Sequence, residues 1–289
     1  MSETSAELRF DAIGAPWQIE TPEPLSSGLV SAIHERVETY DATWSRFRAD
    51  SLVTRVAASA GSWEFPEDAA PLFAFYRRLY DATGGAVTPL VGRRLEDLGY
   101  DSNYRLTPRA QLTAVPRWDD VMTWDGRVLT TAEPVVLDVG AAGKGYLVDI
   151  VAGLLRDAGH DEYVVDGSGD MARRGQGSIR IGLEHPFDPT LAIGVRELGN
   201  EALCASAPGR RTWGTGLHHI LDGLTGEPTT AVAATWAVAA TGLEADGLAT
   251  ALFFTSGDTL GREFDFEYVR MFPDSRVEHS STWAGELFT

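Results

Sequence analysis

Cysteine is nearly missing from this chain: Cys204 alone among 289 residues excludes an internal disulfide and any cysteine-rich metal site. It stands in LCAS, where it reads as a small core residue of a strand, with a reactive thiol as the alternative. No apolar run reaches the ~18 residues that a helical membrane span requires. The opening stretch MSETSAELRFDAIGAPW has neither a basic n-region nor an apolar h-region, so no secretory signal is expected and a cytoplasmic setting is the simplest reading. Positive charge is scarce as well: 24 Lys and Arg face 42 Asp and Glu, giving a net charge of −18 and a pI near 4.6. That excludes general nucleic-acid binding, which needs a basic face. It also repels an anionic ligand at long range, so local cations would have to bind one. Repeats, low-complexity tracts and linkers that would separate independent domains are absent too. What remains is a chain of 44% hydrophobic content, enough to bury a substantial core as one large domain or two fused lobes.

The most informative segment is VVLDVGAAGKGYLVDIVAGLLRDAG, from Val135 to Gly159. Val135 to Val139 reads as a buried strand interrupted by one acid, Asp138. A turn of small residues, Gly140 to Gly143, leads to Lys144. Leu147, Ile150, Val151, Leu154 and Leu155 then recur at helical spacing until Gly159. Such a turn leaves backbone N–H groups at the positive end of a helix dipole, and Lys144 adds a full charge, so the segment suggests a phosphate site. The alternative is a tight strand-to-helix turn with a surface lysine. A Walker A loop is excluded, because only Ala141 and Ala142 separate the glycines and Gly145 follows the lysine. The dinucleotide fingerprint is absent too.

Elsewhere the chain predicts a strand from Leu8 to Ile13, a second near Trp17 to Glu20, and a helix carrying Leu29, Ile33, Val37 and Tyr40 with its cap at Ser26 or Ser27. A further helix carries Leu72, Phe73, Tyr76, Leu79 and Tyr80 and ends at Gly84-Gly85. The polar, turn-rich stretch from Gly99 to Arg117 is expected to cross between lobes before a strand pair around Asp119 to Thr130. Short β runs follow at Tyr163–Asp166, Ile179–Glu184, Leu191–Arg196, Ala202–Ala205 and His218–Leu221. Then come Val232–Ala240, a helix from about Leu243 to Phe254, and a β pair at Phe266–Met271 and Arg276–His279. Strands in long runs with few helices indicate α+β, not βαβ alternation. Tryptophans are scattered without period, which suits packing better than a stacking platform.

Candidate chemistry is spread along the chain. Asp246 and Thr250 stand four apart in GLEADGLATALFF, so both face one side of the predicted helix. A carboxylate and a hydroxyl there suit a hard cation that keeps water and ligand phosphates among its ligands. The alternative is an acid of the first turn and a threonine bonded to its own backbone. His218 and His219, in LHHILDGLTGEP, would point to opposite faces of a strand, so at most one enters a cleft. That one could serve as a general base, or as a hydrogen-bonding strand-end residue. Asp222 reads equally well as a turn acid. The turn Asp166-Gly167-Ser168-Gly169-Asp170 could bend backbone around a ligand.

The order of these features resembles the FAD:protein FMN transferases, the ApbE-like family, along nearly the whole chain. The matching landmarks are AIGAPW, WSRFRADSLVTRV, ATGGAVTPLVG, LDVGAAGKGYLVD, VVDGSGD, IGLEHP, HHILDGLTGEP and EADGLATALF. The resemblance implies one ApbE-like α+β domain over residues 8–289, built of two fused lobes with mainly antiparallel sheets and a ligand cleft between them. Residues 1–7 would be a flexible N-terminus. It implies FAD as donor, Mg²⁺ as cofactor, and transfer of FMN through a phosphoester to a Ser or Thr of an acceptor protein with release of AMP. Some members instead hydrolyse FAD to FMN and AMP, and a non-catalytic flavin carrier is a third reading. By position, Asp138 and Lys144 would contact FAD, the lysine at its phosphates. Ile13, Phe47, Ala86, Val87, Thr88 and Ile220 would also bind FAD. Mg²⁺ would take the carbonyl of Ala141 together with Asp246, Ala249 and Thr250, and His219 would take the acceptor's proton. The chain departs from the family at Thr88, where an acid is usual, at Ile13-Gly14-Ala15, where Met-Gly-Thr is usual, and at Ala57, where an asparagine is common. Many members are exported lipoproteins, whereas no secretory signal is expected here, so the acceptor is expected to be cytoplasmic or on the cytoplasmic membrane face.

Overall fold

A computed structural model of the chain describes residues 5–288. β1 (Ala6–Ala12) and β2 (Ala15–Thr21) form a hairpin closed by Ile13 and Gly14, both at positive φ. A two-residue turn of this kind matches the twist of its strands. Of the N-terminus expected to be flexible, residues 1–4 lie outside the described ones, whereas Ala6 and Glu7 already pair with Thr21 and Glu20. α1 (Ser27–Trp44) starts where the Ser26 hydroxyl accepts the Leu29 N–H at 3.2 Å, and it buries Ile33, Val37, Tyr40 and Trp44. α2 (Leu52–Ala58), capped by Ser51, and β3 (Gly61–Glu64) follow. Next come α3 (Ala70–Ala82) and α4 (Gly92–Asp97), then the polar segment that leads to α5 (Trp118–Val121) and the hairpin β4 (Met122–Trp124) and β5 (Val128–Thr131).

α6 (Gly143–Asp157) is followed by β6 (Tyr163–Asp166), β7 (Asp170–Arg174), β8 (Ile179–His185), β9 (Asp188–Leu198) and β10 (Ala202–Ser206). The chain continues through the short pair β11 (Thr212–Trp213) and β12 (Leu217–His218) to β13 (Ala234–Ala239), α7 (Gly242–Ala251) and α8 (Gly257–Leu260). β14 (Glu267–Met271), β15 (Val277–His279) and β16 (Gly285–Leu287) complete it. Eight strands form one antiparallel sheet in the order β1-β2-β6-β7-β10-β13-β14-β15. Its residues Trp17, Ile19, Val165, Cys204 and Ala237 join the main core with α1, α3, α6 and α7. Leu203, Trp236, Val238 and Val269 point the other way, against Leu183, Ile193 and Leu198 of the small sheet β16-β9-β8. All six residues of β13 are therefore buried, as a strand covered on both faces must be. The fold is a single α+β domain with mainly antiparallel sheets, and Cys204 is a buried free core residue.

Two expectations are corrected. Val135 to Val139 is extended, with Val135, Val136 and Leu137 buried, but pairs with no strand among the described residues; the Asp138 N–H donates instead to the Pro89 carbonyl at 2.7 Å. Its β-branched run reports burial on both sides, which a ladder is not needed to provide. The run His218–Leu221 shrinks to the end of β12 and one bridge from Leu221 to Pro228, because the chain leaves the ladder at His219.

Candidate active site

Two glycines set the geometry of the site. At Gly145 a Cβ would collide with the carbonyl of Gly242, and at Gly242 it would stand 2.5 Å from the carbonyl of Gly145. α6 and α7 therefore cross in backbone contact. Asp149 closes the crossing from the side, its carboxylate accepting the Gly242 and Leu243 N–H groups at 2.7 and 2.8 Å. Burial holds the Asp149 carboxyl at about 6, although both of those bonds favour its charged form. The crossing lays Asp246 against the start of α6, where its Oδ2 accepts the Gly145 N–H at 2.9 Å. Burial, and next the charge of Asp170, push the Asp246 carboxyl well above its ordinary value.

The turn before α6 differs from the sequence reading, which left its N–H groups free for a phosphate. Gly140 donates to Asp138 Oδ1 at 2.8 Å and Ala141 to the Tyr76 hydroxyl at 3.2 Å. Ala142 and Gly143 donate to the Val139 carbonyl at 3.3 and 2.7 Å. The Tyr40 hydroxyl donates to the Gly143 carbonyl at 2.7 Å, bracing the other end. A turn with its N–H groups tied inward has carbonyls left to offer, which suits a cation and not an anion. Lys144, the only lysine in the chain, stands in the first turn of α6. Its Nζ lies 3.1 Å from Asp170 Oδ2 and donates to the Ser168 carbonyl at 3.2 Å.

This site fits a hard divalent cation. Asp170 and Asp246 are both buried close to the single ammonium of Lys144, and burial works against the charged form of each, so a cation placed here would relieve that cost. Among the described residues no group of three or more His, Cys, Asp or Glu side chains could hold a metal. A cation here would combine the Asp246 carboxylate with the neutral oxygens of Thr250 and Ala141 and with ligand phosphates. The Ala249 carbonyl already accepts the Thr235 hydroxyl at 2.6 Å, leaving it one lone pair for a metal.

Asp138 forms the second half of the site. Its Oδ2 accepts Arg46 Nε at 2.5 Å, while Arg46 Nη1 reaches the Tyr100 carbonyl at 2.8 Å. Burial alone would raise the Asp138 carboxyl, but the charge and bond of Arg46 and the Gly140 N–H carry it below its ordinary value. The Arg46 guanidinium lies 4.2 Å from the centre of the Phe47 ring and 5.0 Å from that of Tyr100. Tyr104 stacks on Phe47, and Trp213 on Tyr100. The loop Ala86–Thr88 is stitched to the same place, since Pro89 bonds Asp138 and the Ala86 carbonyl accepts the Gly223 N–H. Thr88 is buried and its hydroxyl accepts the Leu90 N–H. Ile13 sits at the hairpin tip with φ 46°, an unusual conformation for a β-branched residue.

The two histidines separate cleanly. His218 is buried with Nε2 2.8 Å from the Thr229 carbonyl, and its Nδ1 accepts the Ile220 N–H at 3.2 Å. That pattern is a neutral structural histidine. His219 leaves Nδ1 buried and without a partner among the described residues, while the ring bonds the Arg211 backbone. Burial above all, then the charges of Arg211 and His218, lower its pKa to about 3. Asp222 is the turn acid of its loop, accepting the Leu224 N–H at 2.7 Å.

Residues 13–264 match the ApbE family. The chain belongs to that family. The FAD:protein FMN transferase of Treponema pallidum is 29% identical over 268 residues, covering 81% of this chain and 74% of the relative. That of Klebsiella pneumoniae is 24% identical over 273 residues, covering 86% and 78%. The solved flavin transferase ApbE from Vibrio cholerae superposes with a TM-score of 0.79 at 21% identity, over 96% of each chain. The ApbE protein from Thermotoga maritima gives 0.80 at 22%, over 96% of this chain and 98% of that one.

Of the positions expected from this family, Asp138, Lys144, Ala141, Asp246 and His219 gather around the start of α6 or within electrostatic reach of it. Phe47 and Ala86–Thr88 adjoin Asp138. Ile220 does not join them: its side chain packs on Val232 and Phe253, and its N–H and carbonyl are both bonded. Arg46, Tyr76 and Asp149 make contacts here that the sequence did not single out, and Asp170 entered its reading only as the end of a turn. Arg46 and Asp170 lie inside family landmarks, WSRFR and VVDGSGD, so a charged residue within a matched motif was the available signal. Tyr76 gave only a helix-core signal.

Proposed function

We propose that the chain transfers FMN from FAD to a Ser or Thr hydroxyl of an acceptor protein, forming a phosphoester and releasing AMP, with Mg²⁺ as cofactor. What carries this reading is the convergence of Asp246 and Lys144 on the start of α6, with a neutral imidazole at His219 whose Nδ1 has no partner among the described residues. The family and the names of the relatives support the same reaction. Mg²⁺, when bound, would neutralise phosphate charge as the phosphoryl group moves. Asp246, Thr250 and the Ala141 carbonyl would hold it, and Lys144 would meet the pyrophosphate.

The chain's own groups then have defined tasks. The acceptor oxygen forms a bond to the FMN phosphorus, the bond from that phosphorus to the AMP oxygen breaks, and His219 Nδ1 takes the hydroxyl proton. An imidazole titrating at about 3 is a weak base. The negative charge of FAD beside it raises its basicity, so base strength arrives with the substrate. The proposed setting is cytoplasmic, in keeping with one free, buried cysteine, and no described helix is long and apolar enough to cross a membrane.

Incubating the protein with FAD, Mg²⁺ and a Thr-containing protein substrate, read by intact mass, tests the proposal. An FMN adduct on the acceptor with equimolar AMP is expected. FMN and AMP free in solution with no adduct would make the chain a pyrophosphatase, and FAD bound but unchanged would make it a carrier.

A further inference from the structure

The turn between β6 and β7, which the sequence suggested might bend around a ligand, is built around an ammonium. Asp166 accepts the Gly169 N–H, and the Gly167 N–H donates to the Asp170 carbonyl, both at 2.8 Å. Ser168 and Gly169 take left-handed conformations with φ 63° and 96°. For a serine that conformation persists only where surroundings hold it. Here Trp17 packs against Gly167, where a Cβ would come within 3.1 Å of the indole, and Ala205 of β10 donates to the Gly169 carbonyl at 3.1 Å. The bracing aims two oxygens at one nitrogen. The Ser168 carbonyl is 3.2 Å and the Asp170 carboxylate 3.1 Å from Lys144 Nζ. Asp170 is 1% exposed, and a buried carboxylate is costly unless a cation faces it.

We propose that Asp170 is a positioning residue, which with the Ser168 carbonyl fixes Lys144 Nζ where the pyrophosphate of FAD must lie. The proposal rests on the reading that Lys144 meets those phosphates. An ammonium has three N–H groups, and a clamp that engages one side leaves the rest for the ligand. A lysine on a free four-carbon stem would lose rotamer entropy on binding; a clamped one has lost it already. A mere counter-ion would act in the opposite sense, because it competes with the phosphates for the same charge. The two roles therefore predict opposite signs.

Lys144 is the only lysine, so an acylating reagent selective for lysine reports on it alone once the N-terminal amine is separated by peptide mass. In the wild-type protein, FAD with Mg²⁺ should protect Lys144 from acetylation by an N-hydroxysuccinimide ester. Absence of protection would sink the phosphate reading, whatever Asp170 does. In Asp170→Asn without FAD, Lys144 should be acetylated faster than in wild type. The variant's KM for FAD should rise about tenfold with kcat little changed, as for a lost binding contact. An unchanged labelling rate, or a KM that stays the same or falls, overturns the positioning role. If Asp170→Asn does not fold, Asp170→Ser carries the same two measurements.

Discussion

At the scale of single residues, His218 and His219 show how neighbouring identical side chains part company. One has both ring nitrogens engaged, and the other has an Nδ1 with no partner among the described residues, the atom proposed as the base. His219→Ala should therefore retain FAD binding and lose transfer by roughly 10²–10⁴-fold, the usual worth of a positioned base. His218→Ala should spare the chemistry and lower thermal stability, since it strips the Ile220 N–H of its acceptor. Sequence alone would place the rise of transfer rate near the ordinary histidine pKa of ~6.5. With His219 held at about 3, the ring is neutral throughout that range, and no limb near 6.5 should come from it in the free enzyme. The sign for stability follows: between about 3 and ~6.5 the unfolded chain binds the proton that folded His219 refuses. Stability is then lost as pH falls through that window, and His219→Ala should flatten the acid limb of a Tm–pH curve. An acid limb as steep as wild type would contradict the buried neutral ring.

At the scale of elements, the α6–α7 crossing decides whether a site exists. Gly145→Ala should drive a Cβ into the Gly242 backbone, separate the helices and carry Asp246 off the Gly145 N–H. A loss of about 1–3 kcal/mol is expected for such overpacking, together with loss of transfer. A variant that melts like wild type and transfers FMN at full rate would refute the close contact. Helical spacing made α6 and α7 legible, because Leu147, Val151 and Leu155 really do face the core. It put Asp246 and Thr250 on one helix without showing what they meet. α2 and α4 went unseen because each is short, with 7 and 6 residues, too few for a periodicity to stand out. The same limit hid β7, five residues long, of which only Asp170 was read, as the end of a turn. The extended stretch at Val135 misled for a different cause: apolar composition records burial, and burial here comes from packing without a ladder. The site's supporting contacts were the least legible part. Tyr76 to Ala141 spans 65 positions and Asp246 to Gly145 spans 101, and no local pattern encodes such pairings.

At the scale of the whole molecule, the net charge of −18 works against an anionic substrate. Its field reaches FAD well before Lys144 does, so adding salt should speed association by screening the repulsion. Stopped-flow flavin fluorescence between low and ~0.15 M ionic strength measures this. A rate that falls with salt would show that local cations, not the net charge, govern the approach. The burial of two carboxyl groups beside one ammonium at the start of α6 has a thermodynamic consequence as well. On the function proposed above, cation and FAD would each relieve what the other finds unfavourable there, so positive coupling between the two is expected. Linkage makes that coupling reciprocal: the factor by which Mg²⁺ tightens FAD equals the factor by which FAD tightens Mg²⁺. Calorimetric titrations in both orders should return one value, and Asp246→Asn should collapse it towards unity. On that function the protein would act as a coincidence detector, committed only when nucleotide and metal arrive together.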